Sequence, residues 1–310
     1  MTDPPFRIRA FLPEDFEKIV ELEAQGQTLE QACFRTVSLD LAESLSLPNR
    51  LPEKDLFVVA ASGDIAGYIY VMPELDIGRA ILSCFIHPNH GRKDVAIHLV
   101  ERALRRAREL GVERAQVNIH QENPITKKLF SEMGFGCVRR FLEMSLDISE
   151  CTLPEMSDIF SVCRHLEPGE EEKLTFIQNR SFVDTWGYNP NTKEEIGCRT
   201  QLPNCSPQNV LLMGEEEHPI GYCWTKINSG GKKHTRNLTG HIHMLGVDPD
   251  HRGKGIGKQV LLAGIAYLQG EGIRLVALTV DEENKAACEL YRSLGFEISG
   301  QTVWYEKVLD

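Results

Sequence analysis

The sequence repeats itself at an interval of 161 residues, with Ile86 opposite Val247, and this repeat constrains the fold more than any other feature. IHPNHGRKDVAIHLV at 86–100 aligns with VDPDHRGKGIGKQVL at 247–261. The same interval, without a gap, pairs Asn123 with Asn284, Leu129 with Leu290, and Gly134-Phe135 with Gly295-Phe296. A register held this far indicates two related units, and a chain of 310 residues suits two domains. We predict one domain at 1–150 and a second at 151–310.

Both halves contain the same order of predicted elements. The first half gives a hairpin at 56–71, a strand at 80–86, a helix to 110, a strand at 115–119, a short helix to 133 and a strand at 138–146. The second half gives two strands within 210–227, then a strand at 240–247, a helix at 254–269, a strand at 275–280, a helix at 284–294 and a strand at 303–308. The mixture of strands and helices predicts the α/β (α+β) fold class.

Composition restricts the classes of partner. The formal net charge of −11 disfavours nucleic acid, whose phosphates require a basic surface. No apolar run approaches the roughly 20 residues of a membrane span, and the start MTDPPFRIRA lacks the pattern of a signal peptide. The nine cysteines contain no CxxC pair, which is typical of reduced thiols, so we expect a cytoplasmic protein without a membrane partner. Only His241-x-His243 has a metal-like spacing, and we predict no metal. The sequence leaves the oligomeric state open.

The sharpest local motif is HRGKGIG at 251–257, between a predicted strand and a predicted helix. Closely spaced glycines let the backbone approach an anion, and a helix N-terminus offers unpaired N–H donors and a partial positive charge. Arg252 and Lys254 add full charges. The spacing matches neither the Walker loop nor the dinucleotide motif. The motif suits a pyrophosphate, although the same residues would also serve as a tight link between strand and helix.

Two runs of sequence, VDPDHRGKGIG at 247–257 and NKAACELYRSLGF at 284–296, resemble the GNAT superfamily of acyl-CoA-dependent N-acyltransferases. Its [RQ]-x-x-G-x-[GA] loop is matched by Arg252, Gly255 and Gly257, and its N-x-x-A-x-x-L-Y-x-x-x-G-F helix by 284–296. The resemblance covers most of the second half and, more weakly, most of the first. The tandem organisation, with GYCWTKI and GHIHMLGVDP, resembles the mycothiol synthase group. This implies two domains, each with a mixed, largely antiparallel central sheet flanked by helices.

The resemblance also implies which residues would hold acetyl-CoA as co-substrate. The backbone at 245–247 would bind the pantetheine arm where two parallel strands separate, and the N–H groups at 252–257 would bind the pyrophosphate. Asn284 would contact the cofactor arm. The implied set is Leu245, Gly246, Val247, Arg252, Gly253, Lys254, Gly255, Ile256, Gly257, Lys258 and Asn284.

Two side chains are candidates for proton transfer. The resemblance places Tyr291 at the thioester sulfur, where its phenol would protonate the leaving thiolate, although a buried tyrosine could equally serve packing alone. Many family members use a glutamate near the start of the fourth strand as base, and this sequence has His241 there. On a regular strand His241, His243, Leu245 and Val247 would share one face, so we expect a histidine to reach the acceptor cleft. The alternatives are His243 as base, or a His241 that only packs while water carries the proton.

Three residues are candidates for binding the acceptor. Trp186 lies in an aromatic, turn-rich segment at 184–190, where relatives place acceptor-lining loops. Trp224 and Lys226 share one face of a predicted strand, and the resemblance implies that the lysine contacts substrate. Packing is the other explanation for either tryptophan.

The first half has changed at two of these positions. Asp94 stands where the second half has Gly255, and Phe130 stands where it has Tyr291. A carboxylate repels a pyrophosphate at short range, and phenylalanine has no proton to give. We therefore expect a catalytically silent first half, which either is a structural partner or retains a nucleotide through Arg92 and its neighbours.

The combined prediction is an N-acetyltransferase that transfers an acetyl group from acetyl-CoA to the primary amine of a small molecule by direct attack. Two other functions fit the same features. One is a non-catalytic acyl-CoA sensor, which keeps the fold without turnover, and the other is a protein N-terminal acetyltransferase. The acceptor and the acyl-chain preference are left open by the sequence.

Overall fold

The computed structural model describes residues 6–27, 34–37, 41–61, 64–149, 162–202, 205–215, 217–228 and 239–310. The chain divides into two compact units. Unit 1 is Met1–Phe141 with Gly300–Asp310, and unit 2 is Leu142–Ser299. The division at 150/151 stays a prediction about the sequence repeat. The boundaries of the compact units differ from this division. The reason is that the last strand of each half ends in the unit formed by the other half.

Unit 1 is a sheet with helices packed on it. Its strands are β1 (Phe6–Ala10), β2 (Leu56–Ala61), β3 (Asp64–Glu74), β4 (Arg79–Ile86), β5 (Arg114–His120) and the end of β12 (Glu297–Val308). Its helices are α1 (Phe16–Gln27), α2 (Leu41–Ser46), α3 (Pro52–Asp55), α4 (Lys93–Glu109) and α5 (Pro124–Glu132). The strand order is β1-β2-β3-β4-β5-β12. Neighbouring strands are antiparallel except β4 and β5, which are parallel.

Unit 2 has the same arrangement. Its strands are the end of β6 (Gly136–Asp147), β7 (Cys163–His165), β8 (Val210–Gly214), β9 (Pro219–Asn228), β10 (Thr239–Val247) and β11 (Leu275–Asp281), in the order β6-β11-β10-β9-β8-β7. Its helices are α6 (Glu171–Phe182), α7 (Lys193–Thr200), α8 (Ile256–Gly270) and α9 (Lys285–Ser293). The predicted fold class is confirmed. In the described ranges, no helix is both long and apolar enough to cross a membrane.

The last strand of each half completes the sheet of the other unit. Residues Thr302–Val308 of β12 pair antiparallel with His120–Arg114 of β5 in unit 1. Leu142 and Met144 of β6 lie in the core of unit 2. Just after β6, the Ile148 N–H donates to the Arg274 carbonyl of the same unit (2.7 Å). The sequence predicts both strands but not this exchange, because a repeat aligns elements without indicating their partners.

The sheet of unit 2 buries both of its faces. One side, here the α8 face, packs Cys223 and Ile242 against Val260 of α8. The opposite side, the α6 face, packs Trp224 against Ile177 of α6. Neighbouring residues of β9 therefore point to opposite faces, as the period of a strand requires.

Gly264 of α8 is held close to β9 on the α8 face. A Cβ atom at Gly264 would overlap the Cys223 Sγ and would lie 3.4 Å from Thr225 Cγ2. We therefore expect Gly264→Ala to lower the free energy of unfolding by about 1–3 kcal/mol through overpacking. Urea unfolding followed by circular dichroism measures this.

Gly270→Ala is the matched control in the same helix, since no atom of the described residues lies within 4 Å of its Cβ position. Alanine has the higher helix propensity, so this variant should be unchanged or more stable by up to about 1 kcal/mol. Equal losses in both variants would contradict the packing argument. Shortening Cys223 to alanine in the Gly264→Ala background should recover stability.

Candidate active site

The parallel strands β10 and β11 separate partway along β10. They pair only over Thr239–Ile242 of β10, whereas β9 stays paired as far as Val247. The N–H of Asp248 donates to the Ile220 carbonyl on the β9 side (2.9 Å). Because backbone groups alternate in direction along an antiparallel strand, the N–H groups of Leu245 and Val247 point away from β9, into the gap. No strand in the described part of the chain pairs with them there, as the pantetheine assignment requires.

A β-bulge at His243 determines which side chains of β10 point to which face. The register between β10 and β9 shifts between Ile242 and Met244, so one extra residue is inserted and the alternation is interrupted. Met244 packs with the core of the α6 face. Leu245 and Val247 pack with the core of the α8 face.

The two strand histidines lie on the α6 face. His241 is opposite Lys226 in the register, and Lys226 alternates with Trp224, which is buried on that face. The His243 ring packs edge-on against the Trp224 ring, with centroids 5.4 Å apart. The expectation that both histidines share a face with the aliphatic residues at 245 and 247 is therefore wrong. The bulge is the physical reason.

The loop before α8 has the backbone geometry of an anion site. Gly253 and Gly255 have φ angles of 75° and 82°, a conformation that favours glycine. α8 begins at Ile256, and no side chain caps its first turn. The first N–H groups of the helix, at 256–258, therefore point out of its positive end. Gly257 lies beside β10, and its Cβ position would make an ordinary van der Waals contact of 3.5 Å with Val247 Cγ2.

Arg252 hydrogen-bonds backbone groups at the ends of α6 and β10. Its N–H donates to the Pro249 carbonyl (3.3 Å), so it is not available to a pyrophosphate. Its guanidinium donates to the carbonyls of Ser181 (2.8 Å) and Val247 (3.4 Å). Arg252 thus attaches the loop to the end of α6, and the N–H groups of the cradle begin at Gly253. Arg252 as a cofactor-binding residue stays a prediction.

An ion-pair network that the sequence analysis missed positions the same loop. Arg180 of α6 donates to both carboxylate oxygens of Asp248 and to Asp250 (2.9 Å), and Lys254 donates to the Asp250 carbonyl (3.1 Å). The hydrogen bond from Arg180 lowers the pKa of Asp248 to about 2. This carboxylate is therefore charged at neutral pH. The available sequence signal was Asp248-Pro249, because aspartate before proline favours a turn.

α9 carries two of the predicted site residues. Asn284 is its N-cap, and its Oδ1 accepts a hydrogen bond from the Ala287 N–H (3.2 Å). This confirms the predicted helix start. Tyr291 is 7% exposed, in the core of the α8 face. Burial raises the pKa of the Tyr291 phenol above its ordinary value near 10, so the phenol keeps its proton at neutral pH. In the described part of the chain no group hydrogen-bonds the Tyr291 hydroxyl.

Gly246 on the α6 face lies against Tyr222 and Ser181. A Cβ atom at Gly246 would lie 2.5 Å from Tyr222 Cε1 and 2.7 Å from Ser181 Cβ, so this position requires glycine. Among the described residues, none bonds the buried Tyr222 hydroxyl, Ser181 hydroxyl, Trp224 indole N–H or Gln178 side-chain oxygen. Buried polar groups without partners are uncommon. These four polar groups are enclosed in the α6 face.

The structure brings three of the predicted residues, Trp224, Lys226 and His241, to one face. Burial, followed by the nearby Lys226 cation, lowers the pKa of His241 below its usual range near 6.5. Its imidazole is therefore neutral at pH 7 and can accept a proton. Arg199 of α7 adds a second cation near this face, close to His243. Trp186 lies on a different element, half-buried in the turn after α6.

Unit 1 has other residues at two of these chemical positions. Asp94, the counterpart of Gly255, accepts a hydrogen bond from Arg92 (2.6 Å), which lowers the pKa of this carboxyl. Phe130, the counterpart of Tyr291, is fully buried against Phe135, with ring centroids 5.0 Å apart. β4 pairs with β3 without a bulge. These differences support the prediction of a silent first half.

Gly255→Asp would place a carboxylate in unit 2 where unit 1 has Asp94. Gly255→Asn is the matched control, because asparagine has nearly the same shape, tolerates positive φ and carries no charge. No atom of the described residues lies within 4 Å of the Cβ position, so both side chains have space. We expect the aspartate to weaken acetyl-CoA binding at least about tenfold more than the asparagine, because it repels a pyrophosphate. Calorimetric titration measures this, and the difference should shrink at high salt. Equal affinities would show that no anion binds at this loop.

Comparison with known proteins gives the same family for both halves of the chain. A family model described as "Acetyltransferase (GNAT) family" matches residues 21–135 and 173–296, one region in each half. The mycothiol acetyltransferase of Arthrobacter sp. (strain FB24) is 30% identical over 241 residues, which cover 76% of this chain and 72% of the relative.

Two solved structures have the same fold. A GCN5-related N-acetyltransferase from Sphaerobacter thermophilus has a TM-score of 0.71 at 22% identity, with 100% of this chain and 97% of the other covered. A tandem GNAT protein from the clavulanic acid biosynthesis pathway has a TM-score of 0.69 at 15% identity, with 98% and 99% covered. The chain therefore belongs to the acetyltransferase (GNAT) family, as a tandem of two GNAT domains, and is an acyl-CoA-dependent acetyltransferase.

Proposed function

We propose that unit 2 transfers an acetyl group from acetyl-CoA to the primary amine of a small molecule. The observation that carries the proposal is the gap between β10 and β11. The backbone N–H groups of Leu245 and Val247 point into it, and the uncapped start of α8 and Tyr291 belong to the same core cluster.

The residues present fit acetyl-CoA in three respects. Unpaired strand N–H groups at 245 and 247 can hydrogen-bond the amides of a pantetheine arm. The N–H groups from Gly253 to Lys258, at the positive end of α8, can bind the pyrophosphate. Gly246 allows close approach of the neighbouring strand and helix. Asn284 stays a candidate contact to the cofactor arm through its side-chain amide.

The reaction needs two proton transfers and no acyl-enzyme. Acetyl-CoA supplies the acetyl group as a thioester. The acceptor nitrogen bonds to the acetyl carbon and loses one proton, while the carbon–sulfur bond breaks and the sulfur gains one proton. We assign the second transfer to Tyr291, whose phenol is protonated at neutral pH. The Leu245 N–H is the candidate donor to the developing oxyanion.

We assign removal of the amine proton to His241. The imidazole is neutral at pH 7 because burial and Lys226 oppose its protonation. His241 and the Leu245 and Val247 backbone belong to the same strand, β10. The His241 side chain lies on the α6 face, whereas the Leu245 and Val247 side chains lie on the α8 face. A base on this side leaves the other side of the strand to the thioester and Tyr291.

The charges on the α6 face limit the class of acceptor. Lys226 and Arg199 are cations near His243, so a second ammonium group on the acceptor would be repelled. We therefore propose an acceptor with one amine and further polar groups, rather than a polyamine or an aminoglycoside. Because the chain is similar to mycothiol acetyltransferases, an amine related to mycothiol is the first acceptor to test.

Tyr291→Phe removes the proposed proton donor without changing the ring. We expect kcat to fall about 100-fold or more, the range usual for loss of an acid catalyst, while the Kd for acetyl-CoA stays within about twofold. Steady-state kinetics and calorimetry measure the two quantities. Tyr267→Phe in α8 is the control, because Tyr267 packs edge-on against His165 outside the site and should keep normal turnover. Unchanged kcat in Tyr291→Phe would remove the phenol from the mechanism.

His241→Asn tests the proposed base through its pH dependence. The base acts only when unprotonated, and the pKa of His241 lies below its usual value near 6.5. The kcat/KM ratio of wild type to His241→Asn should therefore be largest at pH 7–8 and should decline at acidic pH, as the pH falls through the lowered pKa of His241. Because the acceptor amine ionises equally in both assays, its pH dependence cancels in the ratio of the two kcat/KM values.

The control for this pH series is His218→Asn, an exposed histidine in the β8–β9 turn. Its ratio to wild type should stay near one at every pH. A wild-type to His241→Asn ratio that is flat from pH 5 to pH 8 would contradict the assignment, and the same experiment on His243→Asn would then test the alternative base.

A further inference from the structure

Unit 1 has a gap between parallel strands like that of unit 2, but a segment of its own chain lies in it. β4 and β5 pair only over Arg79–Ile81 with Arg114–Gln116. Beyond this point the segment Phe34–Val37 lies between them. The Thr36 N–H donates to the Cys84 carbonyl of β4 (3.0 Å), and the Val37 N–H donates to the Asn118 carbonyl of β5 (2.7 Å).

This segment bonds the counterparts of the backbone groups assigned to pantetheine. By the interval of 161 residues, Cys84 corresponds to Leu245 and Ile86 to Val247. The Ile86 N–H donates to the Phe34 carbonyl (3.0 Å), and the Cys84 N–H donates to Thr36 Oγ1 (2.9 Å). On the opposite edge of β4, the His87 N–H donates to the Ala66 carbonyl of β3 (2.8 Å). In unit 2 its counterpart Asp248 donates in the same way to the Ile220 carbonyl of β9 (2.9 Å). The two strand ends therefore have the same orientation.

The segment also reaches the counterpart of Asn284. Asn123 caps α5 and donates from Nδ2 to the Arg35 carbonyl (3.4 Å). The Arg35 N–H donates to Thr126 Oγ1 (3.0 Å). Three positions that the family resemblance assigns to the cofactor in unit 2 thus have counterparts in unit 1 that bond Phe34–Val37.

Burial indicates that this arrangement is part of the fold of unit 1. Phe34 is 6% exposed and belongs to the main core of the unit, together with Phe130. Thr36 is 2% exposed. Displacing the segment would expose an aromatic core residue, at a cost of roughly the burial energy of one large apolar side chain. At the start of α4, Asp94 adds a carboxylate where a pyrophosphate would bind.

We propose that Phe34–Val37 is an internal substitute for the pantetheine arm, so that unit 1 is a closed acyl-CoA site and the chain binds one acyl-CoA. The inference rests on the proposed cofactor path in unit 2, because it transfers that path to unit 1 through the repeat. It goes beyond catalytic silence, since loss of the phenol alone would leave binding intact.

Amide hydrogen exchange of the full chain with and without acetyl-CoA tests both sites in one experiment. The Cys84 and Ile86 amides should be protected without ligand, and their rates should not change when acetyl-CoA is added. The Leu245 and Val247 amides should exchange faster without ligand and slow about tenfold or more with it. Calorimetry should give one acetyl-CoA per chain.

The outcomes separate the two proposals. Slower exchange at Cys84 and Ile86 on adding acetyl-CoA, or two ligands per chain, would overturn the closed site. No change at Leu245 and Val247 would instead overturn the cofactor path of unit 2, and the closed site with it. As a local check, Thr36→Val removes the Oγ1 acceptor and should accelerate exchange of the Cys84 amide about tenfold, while the Leu245 amide keeps its wild-type rate. An unchanged Cys84 rate would contradict the role of the segment.

Discussion

The central constraint on this molecule is that two parallel strands cannot separate without leaving backbone donors and acceptors to be satisfied. A buried N–H without a partner is costly, so something must pair with it. In unit 1 the partner is the chain itself, at Phe34–Val37. In unit 2 the corresponding N–H groups, at Leu245 and Val247, point into a gap that no described strand fills. The glycine loop and the Arg180–Asp248 ion pair stabilise the surroundings of that gap.

The bulge at His243 divides the functions of one strand between two faces of the sheet. The β10 backbone faces the gap, its aliphatic side chains at 245 and 247 support the α8 face, and its histidines lie on the α6 face with Lys226. A regular strand would have placed the histidines and these aliphatic side chains on one side. One inserted residue therefore separates the proposed base from the side of the strand that holds Tyr291.

Sequence reasoning predicted what is encoded locally. The repeat, most element positions and the glycine-rich turn before α8 follow from residue spacing and glycine chemistry. It failed where distant parts of the chain meet. The bulge depends on the register with β9, the ion pair of Arg180 joins α6 to a loop far along the chain, and Phe34–Val37 lies outside the aligned repeat. None of these leaves a periodic signal in one sequence.

The strand exchange has a consequence for how such a chain can be divided. β12 pairs with β5 of unit 1, while the end of β6 contributes to the core of unit 2. A cut in the connection between the halves would therefore yield two fragments, each missing a strand from its sheet and carrying one that belongs to the other fragment. We therefore expect co-expressed fragments to form both sheets only by complementation. Deleting either half of such a chain would also remove one strand from the sheet of the other unit.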